Sequence, residues 1–551
     1  MKKFVFLTGL LLVVISSRAQ VGDALIGAAP EQDKALISDE QLFRSVTKEL
    51  SDDKFGGRKP LSVHEAPTLN YIANQFKQYG LQPINGNSYF QKVPMLSVAT
   101  HIQGDGIPLK GAKGTLKLKN VDDIVIWTLR AEKQIKLTDV PLVFAGFGIN
   151  APDYGWNDYE GLDVKGKIVV VFVNDPGFYN DSLFRGKNMT YYGRWTYKFE
   201  EAGRQGAAGV LIIHDTELAS YDWSVVQNGR NSAVLSLYSE TGNKELAPIQ
   251  GWISNSAAAR LFLIAGTSLD NALAAAKQKG FKGFPLNLKT SIETINDVTI
   301  GESANVVGIL PGTDLKDEYI IYSAHWDHLG IGIPLDGDSI YNGADDNASG
   351  VAALVLLARR FHQLPQRPRR SILFFAPTGE ESGLLGSAYY AAHPLVPHSK
   401  TVINLNMDGY GDKMRTHDII LAAAGQSETD IYVQDAAAAQ GRVVIPATSN
   451  TSGGYFRSDH YNFAKAGVPV VIAKGGRNYV NPKAVEEHRL LYKGKSTYHQ
   501  PTDEYHDWWD VSCSLEDIYL LFGIGLRLAN DGYFPKWNTG MEYKAIRENS
   551  K

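Results

Sequence analysis

Residues 319–328 run Tyr-Ile-Ile-Tyr-Ser-Ala-His-Trp-Asp-His, an apolar stretch that ends on two imidazoles and a carboxylate. Its β-branched and aromatic content predicts a buried strand over 319–324. Polar residues directly beyond a buried strand are the mark of an open α/β sheet, where ligands bind outside the carboxyl ends of the strands. The pattern recurs outward along the chain. Gly343-Ala344-Asp345-Asp346-Asn347-Ala348-Ser349-Gly350 opens a predicted helix over 350–362. Thr378-Gly379-Glu380-Glu381-Ser382-Gly383 follows a predicted strand over 371–375 and leads into a helix over 383–392. Asn404-Leu405-Asn406-Met407-Asp408-Gly409 closes a strand over 401–406, and Tyr498-His499-Gln500-Pro501-Thr502-Asp503 lies in a later loop. Strands over 306–310, 419–422 and 468–472 and helices over 428–440 and 515–528 complete an alternating α/β pattern from Asn305 onward.

Upstream the character differs. Ser38-Asp39-Glu40 starts an amphipathic helix with Leu42, Phe43, Val46 and Leu50 on one face, and a second helix is predicted over 66–79. The loop Phe55-Gly56-Gly57-Arg58-Lys59-Pro60 separates them, and short strands are expected over 88–135. Near Asp139 a βαβ-like module begins. It contains Val143-Phe144-Ala145-Gly146-Phe147-Gly148, a turn over 158–167, a buried strand over 168–173, and a helix over 198–209 feeding a strand over 210–214. It holds no cluster of catalytic residue types.

Composition excludes several classes. The 551 residues are 44% hydrophobic and 21% charged, as in a soluble globular chain of three or four domains. With 55 Lys+Arg against 59 Asp+Glu, no basic excess recruits nucleic acid. A single cysteine, Cys513, rules out a disulfide framework and thiolate metal sites within one chain. Lys2 and Lys3, the apolar run 4–15 and the exit Ser17-Arg18-Ala19 predict a signal peptide over 1–19. The run is too short to span a bilayer, and no other segment is long and apolar enough. Export to a bacterial periplasm or the exterior is therefore expected.

Together the five segments offer imidazoles and carboxylates, a donor set that suits zinc and also manganese or cobalt. Five ligands shared by two cations leave open coordination positions, which is the arrangement of catalytic sites. A carboxylate between two cations holds a hydroxide, and a neighbouring carboxylate that is not a ligand shuttles the proton. Glu380-Glu381 supplies one neighbour of each kind, and Asp327 stands where it can orient His325.

These segments resemble the di-zinc aminopeptidases related to aminopeptidase Y and glutamate carboxypeptidase II. The resemblance rests on His325-Trp326-Asp327, Asp346–Gly350, Glu380–Ser387, Asn406–Gly411 and His499 in order, and it covers about 305–530 with the helical lead at 40–84. It implies that His325 and Asp408 bind one zinc, Glu381 and His499 the other, and Asp346 both. Glu380 would be general base and then acid, and Asp327 would hold His325. It implies an eight-stranded mixed sheet sandwiched by helices. The module near Asp139 resembles a protease-associated domain inserted in that fold. The expected division is 1–19 signal peptide, 20–135 first part of the peptidase domain, 136–295 insert, and 296–551 catalytic domain.

Plainer readings compete. Asp346 is preferred to Asp345 for its distance from Ser349-Gly350, and His499 to His488 and His506 for its Tyr-His-Gln-Pro-Thr-Asp setting. Glu380 and Glu381 also suit a helix N-terminus. Ser458-Asp459-His460 fits a pocket lining or a plain loop equally. Tyr191–Tyr197 reads as packing within the insert rather than a gate. Arg359, Arg360, Arg367, Arg369 and Arg370 read as solvated surface. The resulting expectation is an exported exopeptidase with two zinc ions, acting on peptides and most consistent with release of N-terminal residues. A carboxypeptidase of the same chemistry, kept open by Arg457 and Arg477, and a non-catalytic binding protein are the alternatives.

Overall fold

The computed structural model describes residues 29–228, 233–447, 451–495 and 497–550. The expected signal peptide lies outside them. Helices Ala29–Leu50 and Glu65–Gln78 occupy the expected amphipathic stretches, with Phe43, Val46, Leu50, Ile72 and Phe76 buried.

The main sheet is mixed α/β in architecture, as expected. Along its path lie Val470–Val471, Thr401–Asn406, Leu315–Ser323, Arg370–Ala376, Phe284–Leu310, Gln134–Phe144, Ile168–Phe172, Gly209–Ile213, Ile249–Ile253 and Ile124–Trp127. The first four pair in parallel. Their shared direction brings the ends of Leu315–Ser323, Arg370–Ala376 and Thr401–Asn406 to one edge of the sheet, where the loops with the candidate site residues begin.

Both faces of this part are covered, so its strands carry unbroken apolar runs. Successive side chains point to opposite faces. Ile320, Tyr322, Ile372 and Phe374 meet the helices Gly350–His362 and Ser512–Asn530, whereas Ile321, Leu373 and Phe375 meet Tyr390 and Phe463 on the other side. The insert repeats the device. Ile168, Val170 and Phe172 join one core, and Val169, Val171 and Val173 another.

The sheet is larger than the eight strands the resemblance implied, because one 27-residue strand, Phe284–Leu310, serves both halves. Residues 306–310 pair with Arg370–Ala376, residues 284–295 pair with Gln134–Phe144, and residues 294–306 pair with Phe90–Ile102. The strand runs through the expected boundary at 295/296. Its first half alternates buried and exposed positions, as a strand with one solvated face must.

Of the five arginines at the end of the helix Gly350–His362 and in the loop after it, Arg367 is exposed as expected and Arg369 is half-buried, but Arg359, Arg360 and Arg370 are drawn into the fold. Arg359 and Arg360 both close on Asp39, which also accepts the Tyr519 hydroxyl at 2.9 Å, and the Arg360 guanidinium lies 4.1 Å from the Tyr519 ring. Arg370 is fully buried, donating to Glu318 at 2.7 Å and to the Leu528 and Tyr533 carbonyls at 2.6 and 3.0 Å. The reason is tertiary: the first helix and the last long helix cover this end of the sheet, which a linear charge pattern does not reveal. Asp39→Ala leaves two guanidinium groups facing each other without their anion. Its unfolding free energy in a denaturant titration should fall by about 3 kcal/mol, the low end for breaking a buried pair from one side.

Candidate active site

The loops at the sheet edge are tied to one another before they present any ligand. Trp326 is fully buried and donates from Nε1 to the Ala304 carbonyl at 3.0 Å, so the backbone between His325 and Asp327 is anchored. Asn406 accepts from Ser323 Oγ at 2.6 Å and donates to Ser458 Oγ at 2.9 Å. Asn347 donates to the Met407 carbonyl at 3.1 Å and accepts from the Gly350 amide at 3.0 Å, starting the helix there.

Asp346 stands at the centre. Its Oδ1 lies 3.4 Å from His325 Nε2, and its Oδ2 lies 3.3 Å from His499 Nε2. His325 Nε2 is also 3.6 Å from Asp408 Oδ1, and His499 Nε2 is 3.0 Å from Glu381 Oε2. Two groups of potential ligand atoms result, His325 with Glu380 and Asp408, and His328 with Asp346 and Glu381, each with its atoms within 4.8 Å of one another.

The electrostatics fit a cation site. Burial opposes charging His499, yet Asp346 and Glu381 lift its imidazole to about 10; in the same way Glu380, Asp346 and Asp408 raise His325 well above the usual value. Burial and Glu381 oppose ionising Asp346, but His325 and His499 hold its carboxyl well below the usual range. Glu381 is likewise held low, against burial, by His328 and His499. The opposite holds for Glu380: burial, then Asp408 and Glu381 against the pull of His325, push its carboxyl well up. The pocket therefore favours positive charge between ionised carboxylates and leaves the Glu380 carboxyl poised to hold a proton. His325 Nε2 and His328 Nε2 are buried without a hydrogen-bond partner among the described residues. Orphaned imidazole nitrogens beside carboxylates, with no thiolate, are a donor set that zinc accepts.

Every residue expected in the site converges there. Asp345 instead turns away and accepts the Gly411 amide at 2.7 Å. His488 is paired with Asp412 at 2.7 Å, and His506 stacks on Trp508. One expected contact differs. The Asp327 carboxylate is 3.9 Å from His325 Nδ1, and the ring nitrogen meets the Asp327 backbone carbonyl at 3.2 Å instead. The carboxylate accepts the Glu380 amide at 3.1 Å and so fixes the Glu380-Glu381 turn. Burial pushes this carboxyl up to about 7, against the pull of His325.

One neighbour was not singled out by sequence. His328 is fully buried with Nδ1 2.6 Å from Glu381 Oε1, so Glu381 lies between two imidazoles. The His-x-x-His spacing from His325 was its visible signal. Ser458-Asp459-His460 is buried, and burial pushes the Asp459 carboxyl up to about 6. Tyr191 does more than pack within the insert: its ring lies 5.2 Å from Tyr461 and 6.1 Å from Phe456 in the half that carries the groups of potential ligand atoms.

Residues 305–514 match Peptidase family M28, and residues 138–245 match the PA domain. Aminopeptidase YwaD of Bacillus subtilis (strain 168) is 25% identical over 327 residues, 58% of this chain and 57% of that protein. Aminopeptidase NAALADL1 of Rattus norvegicus is 33% identical over 130 residues, 23% of this chain and 16% of that one. The chain thus matches little more than half of the first relative and a smaller part of the second. An aminopeptidase from Aneurinibacillus sp. strain AM-1 shares the fold, with a TM-score of 0.52 and 20% identity over 90% of this chain and 95% of that one. Both groups of potential ligand atoms fall inside the segment that matches Peptidase family M28, and the segment that matches the PA domain precedes it in the chain.

Proposed function

We propose that this protein is a two-zinc exopeptidase that releases N-terminal residues from peptides. The observation that carries the reading is Asp346, whose two oxygens face two different imidazoles, each of which faces a second carboxylate. In this reading His325 and Asp408 would hold one zinc, Glu381 and His499 would hold the other, and Asp346 would serve both. His499 is preferred to His328 because its Nε2 faces both Asp346 and Glu381, whereas His328 stands against the other Glu381 oxygen and orients it. When bound, the ions lower the pKa of a water and polarise the substrate carbonyl.

The chain's own groups do the rest. Glu380, whose carboxylate lies beside His325 and Asp408 but which this reading keeps out of the ligand set, takes the proton from the attacking water and delivers it to the leaving nitrogen. Burial raises its affinity for a proton, which suits holding the proton until it passes to the leaving nitrogen. Asp327 keeps Glu380 on the correct side of the pocket by holding its amide. The aminopeptidase mode is supported by the names of the relatives and by the absence of an arginine from the ligand-bearing motifs themselves. Among the described residues no helix is long and apolar enough to cross a membrane. An exported setting, supported by the Lys2–Ala19 pattern, belongs to the same proposal.

Glu380→Gln should keep both zinc ions by elemental analysis while turnover falls about 10²–10⁴-fold; normal turnover would refute the proton-transfer role. In native mass spectrometry His499→Ala should retain one tightly held zinc and His488→Ala two; the reverse pattern would move the second site. Peptides with a free amino terminus should shorten from that end, and N-acetylated versions should survive. Loss of C-terminal residues would favour the carboxypeptidase alternative.

A further inference from the structure

The loop Phe55–Pro60 and the end of the segment Tyr498–Asp503 are not used by the reaction outlined above, yet they meet at one place. Asp503 is 2% exposed and receives three consecutive backbone amides: Ala344 on its carbonyl at 3.0 Å, Asp345 on Oδ1 at 2.9 Å and Asp346 on Oδ2 at 3.1 Å. Arg58, 1% exposed, takes the carbonyls just before them. It donates to Asn342 at 2.6 Å from Nη1 and to Gly343 at 2.8 Å from Nη2. The same guanidinium reaches the Leu50 carbonyl at 2.8 Å and, through Nε, the Trp326 carbonyl at 2.9 Å.

We propose that Arg58 and Asp503 are a matched pair of positioning residues that clamp the 342–346 segment from its two ends and so set Asp346 between the two zinc ions. The inference rests on the two-zinc reading above. A buried guanidinium ordinarily faces a carboxylate. Here all four of its hydrogen bonds go to main-chain carbonyls, so its charge is spent on backbone geometry. Both carboxylate oxygens of Asp503 are spent on the amides of Asp345 and Asp346. The clamped turn has little freedom otherwise: Gly343 has φ +59°, and a Cβ there would run into the Asp346 carbonyl. Arg58 sits on a turn of its own, with Gly56, Gly57 and Arg58 all in the left-handed region. A Cβ at Gly57 would strike the Tyr341 carbonyl, so this approach is available only to glycine.

The pair also joins the ligand loops. Trp326 lies between His325 and Asp327, and Asp503 is in the same loop as His499. Three separate parts of the chain thus converge behind Asp346, and neither residue touches the reacting atoms.

Asp503→Asn is nearly isosteric but replaces one acceptor oxygen with a donor, so one of the two amides faces an N–H. Arg58→Lys keeps the charge and loses the fork that spans the carbonyls. Zinc affinity of each apoprotein is measured by competition with a chromogenic chelator, alongside apoprotein melting, kcat and KM. The expected result for both variants is zinc binding weakened about 10–100-fold and kcat reduced, with KM within about threefold and a cooperative apoprotein melt like the wild type's. A purely structural role would move the melt and leave zinc affinity alone. Wild-type zinc affinity in Asp503→Asn overturns the inference, and so does failure of both variants to fold, which would make the pair determinants of the fold. Should the wild-type apoprotein bind no zinc, the functional reading falls first, and with it this one.

Discussion

Asp346, Glu380, Glu381 and Asp408 are brought together at one edge of a sheet whose interior is otherwise apolar. Withdrawing such groups from water costs several kcal/mol per ion unless positive charge meets them. His325 and His499 supply part of that charge, their proton affinities raised by the carboxylates they face. The framework can be understood as the means of keeping this unfavourable gathering in place. Three of the parallel strands deliver their ends to one edge. Asn347, Asn406, Asp327 and Trp326 then tie each loop to the next through main-chain or buried side-chain bonds.

The insert is part of that framework. The long strand Phe284–Leu310 makes the two halves one sheet, and Tyr191 from the insert lies against Tyr461 and Phe456. Lys465 lies over both Tyr191 and Tyr461. Behind Tyr192 the buried Lys198 donates to the Asn174 carbonyl at 2.9 Å and to the Tyr192 carbonyl at 2.5 Å. The insert therefore bears on the segment that contains Asp459, one side of the candidate site.

Much of this was legible in the chain. Strand ends followed by His325, Glu380 and Asp408 gave away the α/β architecture, because buried parallel strands leave continuous apolar runs with polar residues only at their ends. The helix Gly350–His362 and the strand Thr401–Asn406 have the bounds read from sequence. What escaped was long-range. Nothing local distinguishes Arg370, enclosed by the Leu528 and Tyr533 carbonyls, from an arginine in solvent. The strand Phe284–Leu310 carries Thr290, Thr294 and Asn296 at buried positions, which hid its period. His328 was overlooked because its partner, Glu381, is 53 residues away. Proximity in sequence points the Asp327 carboxylate at His325, but it accepts the Glu380 amide, which only the sheet brings near.

The most direct test of the account is an anomalous difference map collected at the zinc edge from crystals of the zinc-loaded protein. The account predicts two peaks, both in contact with Asp346, one also touching His325 and Asp408 and the other Glu381 and His499. A single peak, or peaks that leave Asp346 untouched, would contradict it.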